Sequence, residues 1–208
     1  MNTLTRINDL LEGATGRRLV PRDPAAVNDP ALEAAKLVVP GQLSLAEARA
    51  LGALVQESDP SRPIVEIGTL FGWSTLVICL FKHPDQTLIT VDNYSWNPLG
   101  LTPEQHHSLT TERLSSLTSS GTVRQLNMDK YDFYESYSGP PPAVFFCDAD
   151  HTYGATKADL VFARSVGADV ICGDDYSPSD FPGVVQAVAE MGGLCDLIDE
   201  LFVLGEQG

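Results

Sequence analysis

Three aspartates follow two separate apolar runs of the sequence. Asp148 comes directly after the run 143–147, and Asp174 and Asp175 come one glycine after the run 168–172. If the two runs are parallel strands, the three carboxylates gather at one edge of the sheet, where they repel each other unless they are protonated or bind a cation. Oxygen ligands suit Mg²⁺, Mn²⁺ or Ca²⁺, and no paired Cys or His accompanies them to favour zinc. The pattern predicts a divalent-metal site, with helix capping by aspartates such as Asp175 as the alternative.

Two residues beside these aspartates are candidates for a general base. Asp150 and His151 lie in the segment D-A-D-H-T-Y, and both residue types can accept a proton from a hydroxyl group. The other histidines are expected elsewhere. His83 is predicted in a surface loop, and His106 and His107 in a helix, with one exposed and the other half-buried. We interpret Asp150 as the base, with His151 as the alternative.

A second cluster of informative residues is the stretch P-I-V-E-I-G-T-L-F-G-W-S, residues 63–74. It predicts a buried strand, a turn at Gly68 and Gly72, and a helix whose free N–H groups, with the glycine backbone, cradle a small ligand. Glu66 inside the strand is costly unless it is paired. It is predicted either to bind an ammonium or ribose hydroxyls of a ligand, or to accept hydrogen bonds from the backbone of the turn. The G-x-x-x-G spacing argues against a nicotinamide dinucleotide, which prefers G-x-G-x-x-G.

Asp92 ends the next apolar run, about twenty residues beyond the glycine turn. An acidic residue there can accept hydrogen bonds from both ribose hydroxyls of a nucleoside, whether the ligand is a dinucleotide or another adenosine derivative. The alternative is a turn residue, because Asp92-Asn93 is favourable turn chemistry. The following loop, 94–101, contains a Tyr and a Trp that either line a substrate pocket or pack against the N-terminal helices.

The elements that must position these residues alternate regularly between strand and helix. Strands are predicted at 64–68, 87–91, 122–126, 143–147 and 168–172, and helices at 70–81, 103–117, 130–137 and 153–166. A further helix is expected near 181–191, followed by two apolar segments near 197 and 201–204. Such alternation indicates right-handed βαβ units in an α/β, doubly wound, Rossmann-like and mostly parallel sheet.

The first sixty residues are predicted to be helical and to pack on this core. Leu4, Ile7, Leu10 and Leu11 have helical spacing, residues 16–30 read as a loop, and 31–38 predict a second short helix. Ser44 and the glutamate three positions later have capping-box spacing, which predicts a helix over 45–57. We expect residues 1–60 to cover the substrate side of a ligand-binding domain formed by residues 61–208.

Composition excludes several functional classes. The 208 residues are 43% hydrophobic, and the formal net charge is −15, which opposes binding to nucleic acid or to an anionic membrane. The N-terminus lacks the apolar core of a signal peptide, so a cytoplasmic location is expected. The four cysteines are widely spaced and are interpreted as buried small apolar residues, not as a zinc site or a disulfide framework. The oligomeric state, including a homodimer, is left open.

Taken together, the motifs resemble a known family. V-E-I-G-T-L-F-G-W-S-T, the V-D of the second strand, D-A-D-H-T-Y and G-D-D-Y are similar to class I S-adenosylmethionine (SAM) dependent methyltransferases. Within that class the resemblance is to small-molecule O-methyltransferases of the macrocin type, and more distantly to catechol-type enzymes, over roughly residues 43–190. Two departures are an alanine in D-A-D where the family has glycine, and N-terminal residues that do not match the substrate lid of the family.

The resemblance implies the roles of individual residues. It places the methionine end of SAM over the glycine turn, the ribose at the acid that ends the second strand, and the adenine beside the residues after the third strand. The residues that would contact SAM are Glu66, Gly68, Thr69, Gly72, Ser74, Asp92, Met128, Asp129 and Asp148. The metal ligands would be Asp148, Asp174 and Asp175, and Asp150 takes the position of the base.

The expected function is therefore SAM-dependent O-methylation of a small-molecule hydroxyl with the help of Mg²⁺, Mn²⁺ or Ca²⁺. A metal-independent N- or C-methyltransferase, in which the aspartates are helix caps, is an alternative. A SAM-binding protein without catalysis is another, and it would keep Glu66 and Asp92 but have no use for the acidic residues at Asp148 and Asp174. An NAD-linked reductase is disfavoured by the glycine spacing.

Overall fold

The computed structural model describes residues 29–39 and 41–205. They form a seven-stranded sheet of order β3-β2-β1-β4-β5-β7-β6, in which β1 to β5 are parallel and β7 is antiparallel to both β5 and β6. The strands are β1 Ile64–Ile67, β2 Leu88–Asp92, β3 Val123–Asn127, β4 Val144–Cys147, β5 Val170–Gly173, β6 Leu194–Ile198 and β7 Leu201–Leu204.

Helices cover both faces of the sheet. They are α1 Asp29–Val38, α2 Leu45–Glu57, α3 Trp73–Phe81, α4 Pro103–Thr118, α5 Lys130–Ser136, α6 Tyr153–Ser165 and α7 Pro182–Glu190. The buried apolar residues of α1 to α4 share one core with one face of the sheet, and those of α5 to α7 share a second core with the other face. In β1, Ile64 belongs to the first core and Val65 and Ile67 to the second, which is the alternation expected of a strand buried on both sides.

The predicted fold is confirmed, with strand boundaries that differ by one or two residues. The two apolar segments near the C-terminus form the antiparallel hairpin β6–β7, which joins the sheet beside β5. The helix predicted from residue 70 begins at Trp73, because Gly72 at its N-terminus has φ +93° and cannot continue a right-handed helix. The loop predicted up to residue 30 is wrong at its end, since α1 begins at Asp29 and a proline is well accommodated in the first turn of a helix. The helix predicted around residues 4–11 lies outside the described residues.

Helices α1 and α2 are part of the main core. Leu32, Leu51 and Val55 are buried in the cluster that contains α3 and the sheet. Helices α2 and α3 come so close that a Cβ at Gly52 would lie 2.5 Å from the ring of Phe81. These two helices therefore pack on the sheet.

The expected burial of the cysteines holds for three of the four and is wrong for Cys195. Cys79, Cys147 and Cys172 are buried and Cys195 is exposed, and all four are free thiols. Among the described residues, no helix is both long and apolar enough to cross a membrane.

Candidate active site

The strand order brings the predicted site residues to one edge of the sheet. Strand β1 lies between β2 and β4, so the glycine turn after β1 stands between the ends of those two strands. The backbone continues this pairing beyond the strands, because the N–H of Gly68 donates to Val91 O at 2.9 Å and that of Asp148 donates to Ile67 O at 2.8 Å. The N–H of Asp174 in turn donates to Cys147 O at 3.2 Å. We call this edge, formed by residues 68–72, 92, 148–151 and 174–175, the carboxyl rim.

The glycine turn requires its glycines. Gly68 has φ +98°, and a Cβ there would lie 1.8 Å from the carbonyl oxygen of Asp148. Gly72 has φ +93°, and a Cβ there would lie 2.7 Å from Leu114 Cδ2. Between them Leu70 adopts φ +46°, an unfavourable conformation for a residue with a side chain. The turn is thus a strained backbone segment pressed against the start of the loop after β4.

Glu66 lies beneath the turn and is fully buried. Its Oε2 accepts a hydrogen bond from Thr75 Oγ1 at 2.6 Å, whereas none of the residues that the structure describes donates to its Oε1. Burial raises the pKa of the Glu66 carboxyl, and the hydroxyls of Ser74 and Thr75 partly offset that rise. The carboxylate therefore links β1 to the first turn of α3. The partner of Oε2 is a side-chain hydroxyl, whereas the sequence suggested either a ligand or backbone N–H groups.

Asp92 supports the glycine turn directly. Its Oδ2 accepts hydrogen bonds from the backbone N–H groups of Thr69 and Leu70, each at 2.8 Å. Its Oδ1 accepts from the N–H of Tyr94 at 2.7 Å. This geometry is that of the turn residue, one of the two roles that the sequence left open, and it also leaves the half-buried carboxylate at the rim beside the turn.

The residues after β3 lie next to Asp92. Met128 is half-buried, and its N–H donates to Asp92 O at 3.1 Å. Asp129 caps α5 by accepting a hydrogen bond from the N–H of Tyr131 at 2.9 Å, and its other oxygen accepts from Asn93 Nδ2 at 3.3 Å. The two residues thus extend the rim on the side of β2 and β3.

At the other end of the rim, Asp148, His151 and Asp175 converge. One ligand atom from each lies within 4.8 Å of the others, and His151 Nε2 is 3.1 Å from Asp175 Oδ2. The chain turns after Asp148, which brings His151 to the acidic residues. Asp175 reaches the group through a left-handed backbone, φ +62°, directly after the end of β5. The rim therefore brings together two of the three predicted metal ligands and one of the two candidate bases.

Asp174 lies deeper than this group. It is 6% exposed, and its buried Oδ1 has no hydrogen-bond partner among the described residues. Burial is the main cause that raises its pKa, to about 7, and the nearby Glu47 carboxylate adds to the effect. Burial followed by the charges of Asp174 and Asp175 raises the pKa of Asp148 well above its usual range. Accumulated negative charge of this kind is relieved by a bound cation.

Asp150 is exposed and stands apart from the three converging residues. Its Oδ1 accepts a hydrogen bond from the N–H of Thr152 at 2.9 Å. That bond holds the pKa of the Asp150 carboxyl below its ordinary value. Thr152, which follows, is the N-cap of α6, so Asp150 supports the turn that leads into this helix. It remains ionised at neutral pH and available at the rim.

Three functional residues were not found from the sequence. Glu47 is placed by its capping box, but its contribution to the rim depends on the packing of α2 beside the β6–β7 turn, where its Oε1 accepts from the N–H of Glu200 at 2.9 Å. His106 is fully buried, against the expectation of one exposed and one half-buried histidine, and His107 is half-buried. His106 and Thr110 both contact the glycine turn from α4. Their spacing of four residues was the available signal.

The loop after β2 combines a buried and an exposed aromatic residue. Tyr94 is fully buried, packs edge-on against His106, and its hydroxyl accepts a hydrogen bond from Gln125 at 2.7 Å. Trp96 is 61% exposed. The loop is fixed by Asn97, whose side chain binds the backbone of residues 99 and 101. Tyr94 therefore packs against α4, and Trp96 faces solvent near the rim.

A groove of about 630 Å³ reaches Met128 but has none of the residues that define the carboxyl rim in its lining. It is lined by residues that precede β1 and β2, by the outer part of β3, and by α5 with the loop that follows it. Met128 is the one predicted site residue in its lining. The groove and the acidic residues are on different parts of the molecule.

Comparisons with known proteins agree with this geometry. A family described as a methyltransferase domain matches residues 65–176, more than half of the chain. The chain is similar to an O-methyltransferase from Bacillus cereus solved with S-adenosylhomocysteine (SAH), with 21% identity, coverage of 91% of this chain and 84% of that chain, and a TM-score of 0.58. No curated protein sequence matches the chain significantly.

Two further solved structures share the fold. One is the O-methyltransferase TomG from Streptomyces achromogenes, involved in tomaymycin synthesis and solved with SAM, with 21% identity, coverage of 92% and 85%, and a TM-score of 0.56. The other is an SAH-bound methyltransferase from Podospora anserina, with 13% identity, coverage of 99% and 96%, and a TM-score of 0.59. These likenesses confirm the predicted class I methyltransferase fold.

Proposed function

Because the chain belongs to the methyltransferase-domain family, we propose that it transfers the methyl group of SAM to a hydroxyl oxygen of a small molecule with the help of a divalent ion. The observation that carries the proposal is the glycine turn between Asp92 and the loop at Asp148. Gly68 and Gly72 give this turn a left-handed backbone, and the turn lies immediately before the N-terminus of α3, where free N–H groups can receive a ligand. Two of the similar structures are O-methyltransferases, which supports oxygen as the atom that is methylated.

The residues of the turn fit a donor with a polar amino-acid end. Gly68 and Gly72 let the turn pack against Asp148 and Leu114, and Ser74 lies in the first turn of α3, whose free N–H groups can receive a polar ligand. Asp92 and Asp129 offer carboxylates for ribose and adenine at the neighbouring strand ends. SAM would supply an already activated methyl group, so the main task of these residues is to hold donor and acceptor in line.

The acidic end of the rim fits a hard cation. Asp174 Oδ1 is buried without a partner, and Asp148 and Asp175 supply further oxygen ligands. His151 is close enough to Asp175 to complete the set or to orient that carboxylate. Mg²⁺, or Mn²⁺ or Ca²⁺, would lower the pKa of an acceptor hydroxyl bound there.

Asp150 is proposed to accept the proton of the acceptor hydroxyl. Its Oδ1 is engaged with Thr152, its pKa is lowered, and the side chain is exposed at the rim. We further propose that the helices of residues 1–60 cover the substrate side, that the acceptor is a natural-product, sugar or phenolic hydroxyl, and that the protein acts in the cytoplasm.

Calorimetric titration with SAH tests the donor. We expect the wild-type protein to bind SAH and not NAD, and Asp92→Asn to weaken SAH binding about tenfold or more, because charge-assisted hydrogen bonds are lost around the turn. Asp85→Asn is the matched control, since Asp85 is an exposed acid before β2, at the opposite edge of the sheet. Equal SAH affinity in all three proteins, or binding of NAD alone, would exclude this donor site.

A methyl-transfer assay with phenols, catechols and sugar hydroxyls tests the chemistry. Chelator-treated protein should lose activity and regain it with Mg²⁺ or Mn²⁺, because the acidic rim needs a counter-charge. Full activity in excess chelator would assign the aspartates to structural roles and favour a metal-independent N- or C-methyltransferase. SAH binding without turnover of any nucleophile would favour a SAM-binding protein.

A further inference from the structure

Helix α4 places three residues of one face against the glycine turn. His106, Thr110 and Leu114 are spaced by four, so they lie in a row along the helix. His106 Nε2 is 3.0 Å from Leu70 O, and Thr110 Oγ1 donates to the same carbonyl oxygen at 2.7 Å. Leu114 fills the space in front of Gly72, where it leaves no room for a Cβ. The helix therefore contacts the turn through all three of these residues.

The other side of the same turn is held by Asp92. Its carboxylate accepts hydrogen bonds from the N–H groups of Thr69 and Leu70. Leu70 is therefore held at its N–H by Asp92 and at its carbonyl oxygen by α4. Leu70 has φ +46°, a conformation that a residue with a side chain adopts only when its surroundings impose it. Hydrogen bonds from α4 and to Asp92 supply that constraint.

His106 also reaches the loop after β2. Its Nδ1 is 3.4 Å from the carbonyl oxygen of Tyr94, a second non-glycine residue with positive φ, +56°. The imidazole is fully buried between the rings of Phe71 and Tyr94, at centroid distances of 4.9 Å and 5.1 Å. A carbonyl oxygen can only accept a hydrogen bond, so the shorter contact requires a proton on Nε2, which donates to the Leu70 carbonyl. Because the ring is buried, it cannot touch the substrate that receives the methyl group.

We infer that His106, assisted by Thr110, is a positioning residue for the methyl donor: it holds the Leu70 carbonyl and thereby keeps the glycine turn in the shape that receives SAM. The inference rests on the proposed function, since it concerns the donor site of that reaction. Its consequence is that SAM affinity depends on the hydrogen bonds that His106 and Thr110 donate to the Leu70 carbonyl, beyond any effect of these residues on folding.

Two amide substitutions of His106 separate positioning from packing. Glutamine can place its amide N–H near the position of Nε2, and asparagine near that of Nδ1, so only His106→Gln keeps a donor for the Leu70 carbonyl. We expect His106→Gln to bind SAH within about threefold of the wild type and His106→Asn to bind about tenfold more weakly, as for the loss of one buried hydrogen bond. His107→Gln is the control, because His107 is the adjacent half-buried residue that packs on Tyr94.

Thr110 provides a second, independent pair. Thr110→Ser keeps the hydroxyl and is expected to retain SAH affinity, whereas Thr110→Val removes it at similar volume and is expected to weaken SAH binding. Thermal unfolding of each ligand-free variant measures its loss of stability. If the residues have only a structural role, the variants that lose more stability should also lose more SAH affinity. Wild-type binding together with equal affinities for His106→Gln and His106→Asn would overturn the positioning role. Absence of SAH binding by the wild type would instead overturn the proposed function.

Discussion

Asp150 and His151 are adjacent in the chain but have different partners. Asp150 is exposed, and its hydrogen bond to the N–H of Thr152 keeps the carboxyl ionised. His151 Nε2 faces Asp175, and its ring packs on Phe181 with a centroid distance of 4.7 Å. A base needs a free lone pair beside the acceptor, whereas a residue that orients an acidic ligand needs a fixed partner. These surroundings favour Asp150 as base and His151 as a residue that organises the rim.

The two roles predict different kinetics. Asp150→Asn should lower kcat about a hundredfold or more with little change in SAH affinity, because proton transfer is lost while the donor site is intact. His151→Gln should have a smaller effect on kcat and act mainly on acceptor binding and on the concentration of Mg²⁺ needed. Steady-state kinetics with an acceptor from the screen and SAH titration of both variants measure this. Loss of turnover in His151→Gln alone would reverse the two assignments.

The location of individual residues could be predicted from the sequence when it depended only on where one strand ends. Asp92 and Asp148 were placed at the rim because each directly follows an apolar run, and Asp175 because it lies three residues after one. The partners of these residues could not be predicted, because they come from distant segments. The contact of His106 with the Leu70 carbonyl joins residues 36 positions apart, and the bond from Glu200 to Glu47 spans 153.

At the level of elements, two helices begin with the same capping motif but in different surroundings. In α2, Ser44 Oγ accepts the N–H of Glu47 at 3.1 Å, and in α4, Thr102 Oγ1 accepts the N–H of Gln105 at 3.3 Å. The cap of α2 also reaches the β6–β7 turn, because Ser44 Oγ donates to Asp199 Oδ2 at 2.9 Å. One cap is therefore local, and the other links an N-terminal helix to the C-terminal hairpin.

The difference can be measured with matched substitutions. Ser44→Ala and Thr102→Ala should each reduce the free energy of unfolding by about 0.5–2 kcal/mol, the usual cost of removing a helix cap. Ser44→Ala should cost more, because it also removes the hydrogen bond to Asp199. Urea denaturation of the two variants gives the comparison. An equal or smaller loss for Ser44→Ala would show that the link to the hairpin adds no stability.

The main strands and helices were predictable because each has a local cause. A strand buried on both faces is a short apolar run, and the capping box of α2 and the proline at the start of α4 mark their first residues. The pairing of the terminal hairpin with β5 was not predictable from periodicity. Strand β6 is exposed along most of its length, and it takes its place in the sheet only through β7.

For the whole molecule, the acidic balance has consequences beyond solubility. The net charge is −15, and several of the carboxylates that contribute to it are partly buried at the rim. Two groups of acidic residues have pKa values shifted in opposite directions. Burial raises the pKa values of Asp148 and Asp174, whereas hydrogen bonds donated by Lys157 and Ser61 lower those of Glu190, to about 2, and Asp59. The second group loses its contribution to stability only in acid, below the pKa values of the unfolded chain at about 4.

The first group predicts how metal-free protein responds to pH. A carboxyl whose folded pKa is raised binds more protons in the folded than in the unfolded state, so stability falls as pH rises from about 4 towards the folded pKa. For Asp174 that value is about 7. We therefore expect the Tm of chelator-treated protein to decrease between about pH 5 and pH 8, and Asp174→Asn to reduce this slope.

Addition of a divalent ion should reverse the trend. Mg²⁺ binds the ionised carboxylates of the folded state and stabilises it in proportion to its occupancy, so the increase in Tm should be larger at about pH 8 than at about pH 5. For a chain of this size each kcal/mol of added stability corresponds to about 2–4 °C in Tm. Asp174→Asn should lose most of the Mg²⁺ effect, whereas Asp85→Asn, at the opposite edge of the sheet, should keep it. A Tm of metal-free wild-type protein that rises over this range, or equal Mg²⁺ effects in both variants, would mean that the rim carboxylates are already neutralised by the protein itself.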